Sequence, residues 1–372
     1  MRCKHEAEYN PMTLTDLYNL SIPPIPGTFA ESAKRTWDSV AHPLDGLGVF
    51  EDAICRIAAA QQSVTPDISK KALVIYCADN GVVCEGVSQC GSDVTYKVAQ
   101  LMGKRKSSVG MMTKDYPIDI FTVDTGIDSD DIPEGVLDRK IRKGSGNIVK
   151  EAAMSEEECL KGIECGIDMV RSLSQKGYGM IATGEMGIGN TTTSTAMLCA
   201  LLGLDPEKVT GRGAGLSDEG LAKKTGAIKR ALALHVPDGT PGELSKEYAF
   251  RVLCCLGGLD IAALTGTFIG GAIYKVPVVI DGLISAVAAL CAECLLPGCR
   301  DRMLASHNGK ERGCAAVLAR LKLHPVIDAG LALGEGSGAV LLMPMLDMAM
   351  NLYKTGTAFG NTGIESYKRF EQ

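Results

Sequence analysis

The sequence predicts an α/β protein: a doubly wound, mainly parallel sheet with helices on both faces, plus a smaller helical domain formed by the N- and C-terminal segments. Three observations predict it. Short, almost wholly apolar runs alternate with helical stretches, as expected of strands buried on both faces. Glycine is abundant at 43 residues while aromatics reach only 5%, which suits tight strand-to-helix turns better than a β-sandwich. Four of the apolar runs end in an acidic residue with glycine nearby, and the carboxyl ends of parallel strands are where such sheets bind ligands.

The elements follow in order. Residues 1 to about 30 are polar and proline-punctuated, and Pro23-Pro24-Ile25-Pro26 predicts an extended arm. Residues 30–40 and 47–62 read as helices. Residues 72–77 form a buried strand that stops at Asp79-Asn80-Gly81. A second strand, 118–123, leads to Asp124-Thr125-Gly126-Ile127-Asp128. The helix 155–175 precedes a strand at 179–182 that opens into Gly184-Glu185-Met186-Gly187-Ile188-Gly189-Asn190-Thr191-Thr192. Helix 221–235, strand 277–280 ending at Asp281-Gly282, and helix 284–296 complete the alternation. Residues 339–343 read as a fifth strand or equally as a helix. The expected division is 1–70 for the arm and helices of the small domain, 71–347 for the large α/β domain, and 348–372 for a segment rejoining the small domain.

Composition narrows the class. Hydrophobic residues make up 46% and charged residues 22%, which fits a globular core. The net charge of −6 and scattered basic groups lack the footprint of a nucleic-acid binder. Lys104-Arg105-Lys106 reads as a solvated helix end. The longest uncharged run, 261–274, is short and glycine-rich for a membrane span. The start, Met1-Arg2-Cys3-Lys4-His5-Glu6, lacks an apolar signal core, so the 14 cysteines are expected as reduced thiols in a cytoplasm. Cys291, Cys294 and Cys299 have a spacing that can hold metal, but they follow a buried helical run and read better as small core residues. No metal and no cofactor is expected.

Three glycine-rich segments carry the chemistry. The loop from Gly184 to Thr192 lets a backbone approach an anion, and Thr191-Thr192-Thr193-Ser194 can open a helix whose free N–H groups favour phosphate; an ordinary capped turn has the same spacing. It is neither a Walker A loop nor a complete dinucleotide fingerprint. The second segment, Gly211-Arg212-Gly213-Ala214-Gly215-Leu216-Ser217-Asp218, precedes a helix bearing Lys223 and Lys224, which read as anion ligands or as solvated surface lysines. The third is Leu333-Gly334-Glu335-Gly336-Ser337-Gly338-Ala339. A carboxylate framed by glycines suits a general base, or is an exposed turn acid. Ser306-His307 has no identifiable acidic partner, so His307 reads as a structural hydrogen bonder rather than half of a catalytic pair.

Together these segments resemble the nicotinate-nucleotide:dimethylbenzimidazole phosphoribosyltransferase family of cobamide biosynthesis. The resemblance runs from about Trp37 to Asp347, through Asp79-Asn80-Gly81-Val82, Asp124-Thr125-Gly126-Ile127-Asp128, Gly144-Ser145-Gly146-Asn147-Ile148, Gly184-Glu185-Met186-Gly187 with Asn190-Thr191-Thr192, Gly257-Gly258-Leu259-Asp260, Asp281-Gly282-Leu283, Ser306-His307 and Leu333-Gly334-Glu335-Gly336-Ser337-Gly338. It implies transfer of ribose phosphate from nicotinate mononucleotide to a lower-ligand base such as 5,6-dimethylbenzimidazole, with inversion at the sugar. It also implies that the large domain is the nucleotide-binding catalytic one, and that the enzyme is a homodimer. Glu335 matches the family's base. Glu185, Gly187, Gly213 and Lys224 match its nucleotide pocket, and Asp79, Asn80, Ser88, Val98, Asn190, Thr191, Asp281, Ser306, Gly309, Gly334 and Gly336 fall within its substrate-binding segments.

The sequence departs from the family at several places. Asn80 stands where His is usual, His42-Pro43-Leu44-Asp45-Gly46-Leu47-Gly48 replaces a Lys-Pro-x-Gly-Ser-Leu-Gly segment, and Gly309 replaces a serine. Residues 88–98, which line the base pocket in the family, are unusual, and Val98 falls where some members have glutamine. These departures bear on the acceptor (benzimidazole, purine or phenol) more than on the reaction. A second expectation is a catalytically weakened nucleotide-binding subunit partnering an active paralogue.

Overall fold

The computed structural model describes residues 11–370; the N-terminal hexapeptide read above lies outside the described residues. Six strands form one all-parallel sheet: β1 (Lys71–Ala78), β2 (Asp119–Gly126), β3 (Leu137–Asp138), β4 (Met180–Met186), β5 (Val278–Ile280) and β6 (Met303–Ala305). Their order is β3-β2-β1-β4-β5-β6. The chain therefore builds outward from β1 in one direction, then returns to β1's other side with β4. The gap between β1 and β4 is the topological switch point, where open α/β sheets hold their ligands.

All eight residues of β1 are buried, and they alternate between two cores. Ala72, Val74 and Tyr76 face a cluster with the helices Glu156–Gln175, Lys246–Leu256, Leu259–Tyr274 and Leu283–Leu295. Leu73, Ile75 and Cys77 face a second cluster with Gly27–Ser39, Val49–Gln61, Asp93–Gly103 and Ser337–Thr355. Two-sided burial is why the strands read as continuous apolar runs. The N-terminal helices and the C-terminal segment meet: Ala41 N–H donates to the Thr357 carbonyl, and Trp37 stacks edge-on against Tyr353.

Three expectations are refined and one is met. The arm contains a short helix, Leu14–Asn19, started by a reciprocal cap between Thr13 and Asp16. Residues 20–26 are irregular, as the prolines predict. The run 339–343 is helical, the first turns of Ser337–Thr355, and reads as strand-like because most of it is buried. The apolar run 261–274 lies in the buried helix Leu259–Tyr274, whose glycines allow close helix crossing: a Cβ on Gly266 would lie 1.9 Å from the Ile163 carbonyl oxygen. Among the described residues no helix is long and apolar enough to cross a membrane.

Candidate active site

Strands β1 and β4 run in parallel register, with Tyr76 opposite Glu185, so both deliver acidic residues to the switch point. A cavity of about 270 Å³ opens there, walled by the loop Glu185 to Thr191, by Arg212 to Ala214, by Ala332 to Glu335, and by Val87, Ser88, Gln89, Val98, Leu216, Ile284 and Glu311. A larger hollow of about 540 Å³ lies elsewhere, between Pro24–Gly27 and the edge strand β6. Size does not single out the site. The smaller cavity is the one where acids and a helix N-terminus converge, with Lys224 bonded to Thr191 of its wall.

Glu335 is held at two points. Its backbone is left-handed (φ 59°) between Gly334 (φ 86°) and Gly336 (φ 82°), three consecutive residues in a region that L side chains seldom occupy. The turn is pressed onto the sheet: a Cβ on Gly184 would lie 2.8 Å from the Glu335 carbonyl oxygen. Its carboxylate accepts from the Val109 N–H at 2.9 Å, in the first turn of the helix Ser108–Met112, which fixes its direction. A half-buried carboxylate so oriented can accept a proton from a ligand in the cavity.

Glu185 is buried at the end of β4. Burial, with the negative charges of Asp260, Asp281 and Glu311 nearby, pushes its pKa up to about 8 against the opposing hydrogen bond from Asn190. Asn190 has only two amide hydrogens, and it donates to both Glu185 and Asp260. Asp260 is itself pushed up to about 6, chiefly by burial. Near neutral pH the Glu185 carboxyl is thus mostly neutral and able to donate.

Lys224 is buried on the helix Asp218–His235 and reaches Thr191 Oγ1 at 2.9 Å. Gly213 closes over this pair, since a Cβ there would lie 3.4 Å from Lys224 Nζ. Desolvation lowers the lysine to about 8, partly offset by Glu311. Such an ammonium is held ready for an anion. The helix Asn190–Leu202 starts beside it, with Gly189 at its N-cap and no side-chain cap.

The structure brings together Glu335, Glu185, Gly187, Asn190, Thr191, Gly213, Lys224, Ser88, Val98 and Gly334. It places others behind the wall. Asp79 accepts from the Asp128 N–H, and Asn80 lies under the loop, its amide 3.4 Å from the Ile188 carbonyl. Gly336 packs against Leu73 and Thr183. Ser306 donates to the Ile280 carbonyl and lies 2.9 Å from His307 Nδ1, a structural arrangement. Gly309 sits by Glu311 and Cys314, off the wall. Asp281 spends its oxygens on backbone N–H groups. Asp124, a strand-end acid, pairs with Lys140 instead of facing the cavity. Sequence reasoning gave no role to Asp260, Glu311 or the Val109 amide. Asp260 carried a signal, the motif Gly257-Gly258-Leu259-Asp260; a backbone amide carries none.

The chain is similar to known proteins over most of its length. A family profile described as phosphoribosyltransferase matches residues 22–364. The chain belongs to this phosphoribosyltransferase family. It is 42% identical over 341 residues to the nicotinate-nucleotide–dimethylbenzimidazole phosphoribosyltransferase of Ruminiclostridium cellulolyticum, covering 92% of this chain and 95% of that one. It is 41% identical to the protein of the same name from Acetivibrio thermocellus, over 91% of this chain and 94% of that one. Among solved structures, CobT from Thermus thermophilus superposes with a TM-score of 0.83 at 34% identity, covering 91% of this phosphoribosyltransferase and 99% of CobT. The match spans the β1–β4 switch point and all three glycine-rich segments.

Proposed function

We propose that this enzyme transfers the phosphoribosyl group of nicotinate mononucleotide to a cobamide lower-ligand base, 5,6-dimethylbenzimidazole or a relative, releasing nicotinate and an α-ribotide 5′-phosphate. The observation that carries this reading is one oriented carboxylate, Glu335, facing across a cavity a helix N-terminus whose Thr191 is backed by the buried Lys224. The bond from the ribose carbon to the nicotinate nitrogen breaks, and its electron pair neutralises the pyridinium. The leaving group needs no acid. The in-plane lone pair of one ring nitrogen of the incoming base forms the new bond, and the proton on its other ring nitrogen passes to Glu335, so one general base suffices. Attack from the face opposite the departing ring converts β to α. The scheme needs no metal or cofactor.

The lysine and the helix N-terminus suit the 5′-phosphate, with Lys224 and Thr191 as ligands. A neutral Glu185 can donate to the sugar without repelling the anionic donor. Val87, Val98, Met186 and Leu333 give the acceptor an apolar slot. The test is incubation with nicotinate mononucleotide and a panel of benzimidazoles, purines and phenols, with mass spectrometry of the products. Ribotides and stoichiometric nicotinate are expected; no ribotide with any acceptor rejects the reading.

The enzyme is further proposed to act as a homodimer in the cytoplasm. The helix Ser337–Thr355 exposes Leu341, Met345 and Met348 on its outward face, beside Met111 and Met112 of the helix that packs on it. An outward stripe without charge suits a partner surface. The described cysteines are all free thiols, as a reducing compartment favours.

A further inference from the structure

The helix that follows Glu335 has no cap of its own. Gly336 occupies the N-cap position of Ser337–Thr355 and has no side chain to offer the first-turn N–H groups. Asp281, at the end of β5 and 55 residues earlier, takes that place. Its Oδ1 accepts from Gly338 N–H at 2.8 Å and Ala339 N–H at 3.0 Å, and its Oδ2 from Gly336 N–H at 3.2 Å. The remaining first-turn group, Ser337 N–H, donates to the Gly334 carbonyl and closes the turn around Glu335. Asp281 is itself fixed, because its own N–H donates to Ser285 Oγ, which meets Thr183 Oγ1 at 2.6 Å.

We propose that Asp281 is the positioning residue of Glu335: its carboxylate ties the left-handed turn to the end of β5 and so aims the base into the cavity. The turn is conformationally expensive, and no side chain inside the segment restrains its backbone. Of the three bonds Asp281 accepts, the one to Gly336 N–H adjoins Glu335 directly. The two oxygens therefore divide the work. Oδ1 starts the helix and Oδ2 places the base. Asparagine separates them: with its carbonyl on the Oδ1 side it still caps the helix, while its NH₂ confronts the Gly336 N–H.

The kinetic part of the test depends on the transferase reading; the structural part does not. For Asp281→Asn, kcat is expected to fall on the order of 10–100-fold, the cost of a small misplacement of a reacting group. KM for nicotinate mononucleotide should stay within about threefold, because the proposed phosphate ligands Lys224 and Thr191 bond each other and not Asp281. The double variant Asp281→Asn/Glu335→Gln should be no slower than Glu335→Gln alone. A raised KM with unchanged kcat would make Asp281 a substrate ligand and overturn the proposal, as would additive losses in the double variant. Crystal structures of Asp281→Asn and Asp281→Ala decide the matter without turnover. Displacement of the 334–336 turn and loss of the Glu335–Val109 contact are expected; a turn that stays in place in the folded variants refutes the inference, even if the wild type proves to use other substrates.

Discussion

At the scale of single residues, environment divides labour between the two glutamates. Glu335 meets an N–H at a helix start and a partly open cavity. Glu185 is sealed among other acids, which pushes it up to about 8. Burial thus favours the protonated form of Glu185, while Glu335 is oriented toward the cavity by the Val109 N–H. Lys224 makes a testable case. Its pKa is lowered to about 8, so the free enzyme loses the ammonium as pH rises through that value. The dissociation constant for nicotinate mononucleotide should therefore weaken from pH 7 to pH 9, by calorimetric titration. Lys224→Ala should weaken it on the order of tenfold or more at pH 7 and abolish that trend, as expected for a lost charge-assisted contact. If only turnover falls, Lys224 does not hold the nucleotide.

At the scale of elements, the turn 334–336 is the costly piece. Gly336 is left-handed, and a Cβ there would lie 2.5 Å from Leu73 Cδ1 and 3.0 Å from the Thr183 carbonyl oxygen. Gly336→Ala should destabilise the fold by about 1–3 kcal/mol through strain and overpacking, measured by denaturant unfolding. A neutral result would mean that the turn relaxes freely.

Much of this was legible in sequence, for identifiable reasons. Strands β1, β2, β4 and β5 announced themselves by apolar runs ending in an acid and a glycine. β3 and β6 did not, because two or three residues carry no period. The start of Ser337–Thr355 was ambiguous because Ser337 to Val340, Leu342 and Met343 are all buried, which blurs helical spacing. Glycine framing exposed Glu335 and Glu185 as candidates. Asp281 was legible as a strand-end acid, but not that its oxygens would cap a helix 55 residues later. Long-range contacts of that kind follow from the topology, not from local pattern.

At the scale of the whole molecule, two properties follow. Glu185, Asp281 and Asp260 are raised to about 8, 7 and 6, each mainly by burial. Their unfolded values lie near 4, so the folded chain binds more protons between about pH 4 and 8. Their contribution to stability is present below pH 4 and is lost as pH rises through the folded values. The melting temperature of the free enzyme should therefore fall between pH 6 and pH 8, and Glu185→Gln should flatten that slope. An identical slope in the variant would show that Glu185 is ionised throughout. The apolar stripe makes the second prediction: Met345→Asp/Met348→Asp should turn a dimer into a monomer by sedimentation, whereas an unchanged dimer would place the interface elsewhere.

The central claim is that one carboxylate, aimed into the β1–β4 switch point, takes the proton of the incoming base. Nicotinate release by Glu335→Gln, followed with 5,6-dimethylbenzimidazole at saturating nicotinate mononucleotide, tests it most directly. Removal of a general base predicts a loss of kcat of roughly 10²–10⁴-fold, with the fold and donor affinity unchanged. Turnover near that of the wild type would contradict it.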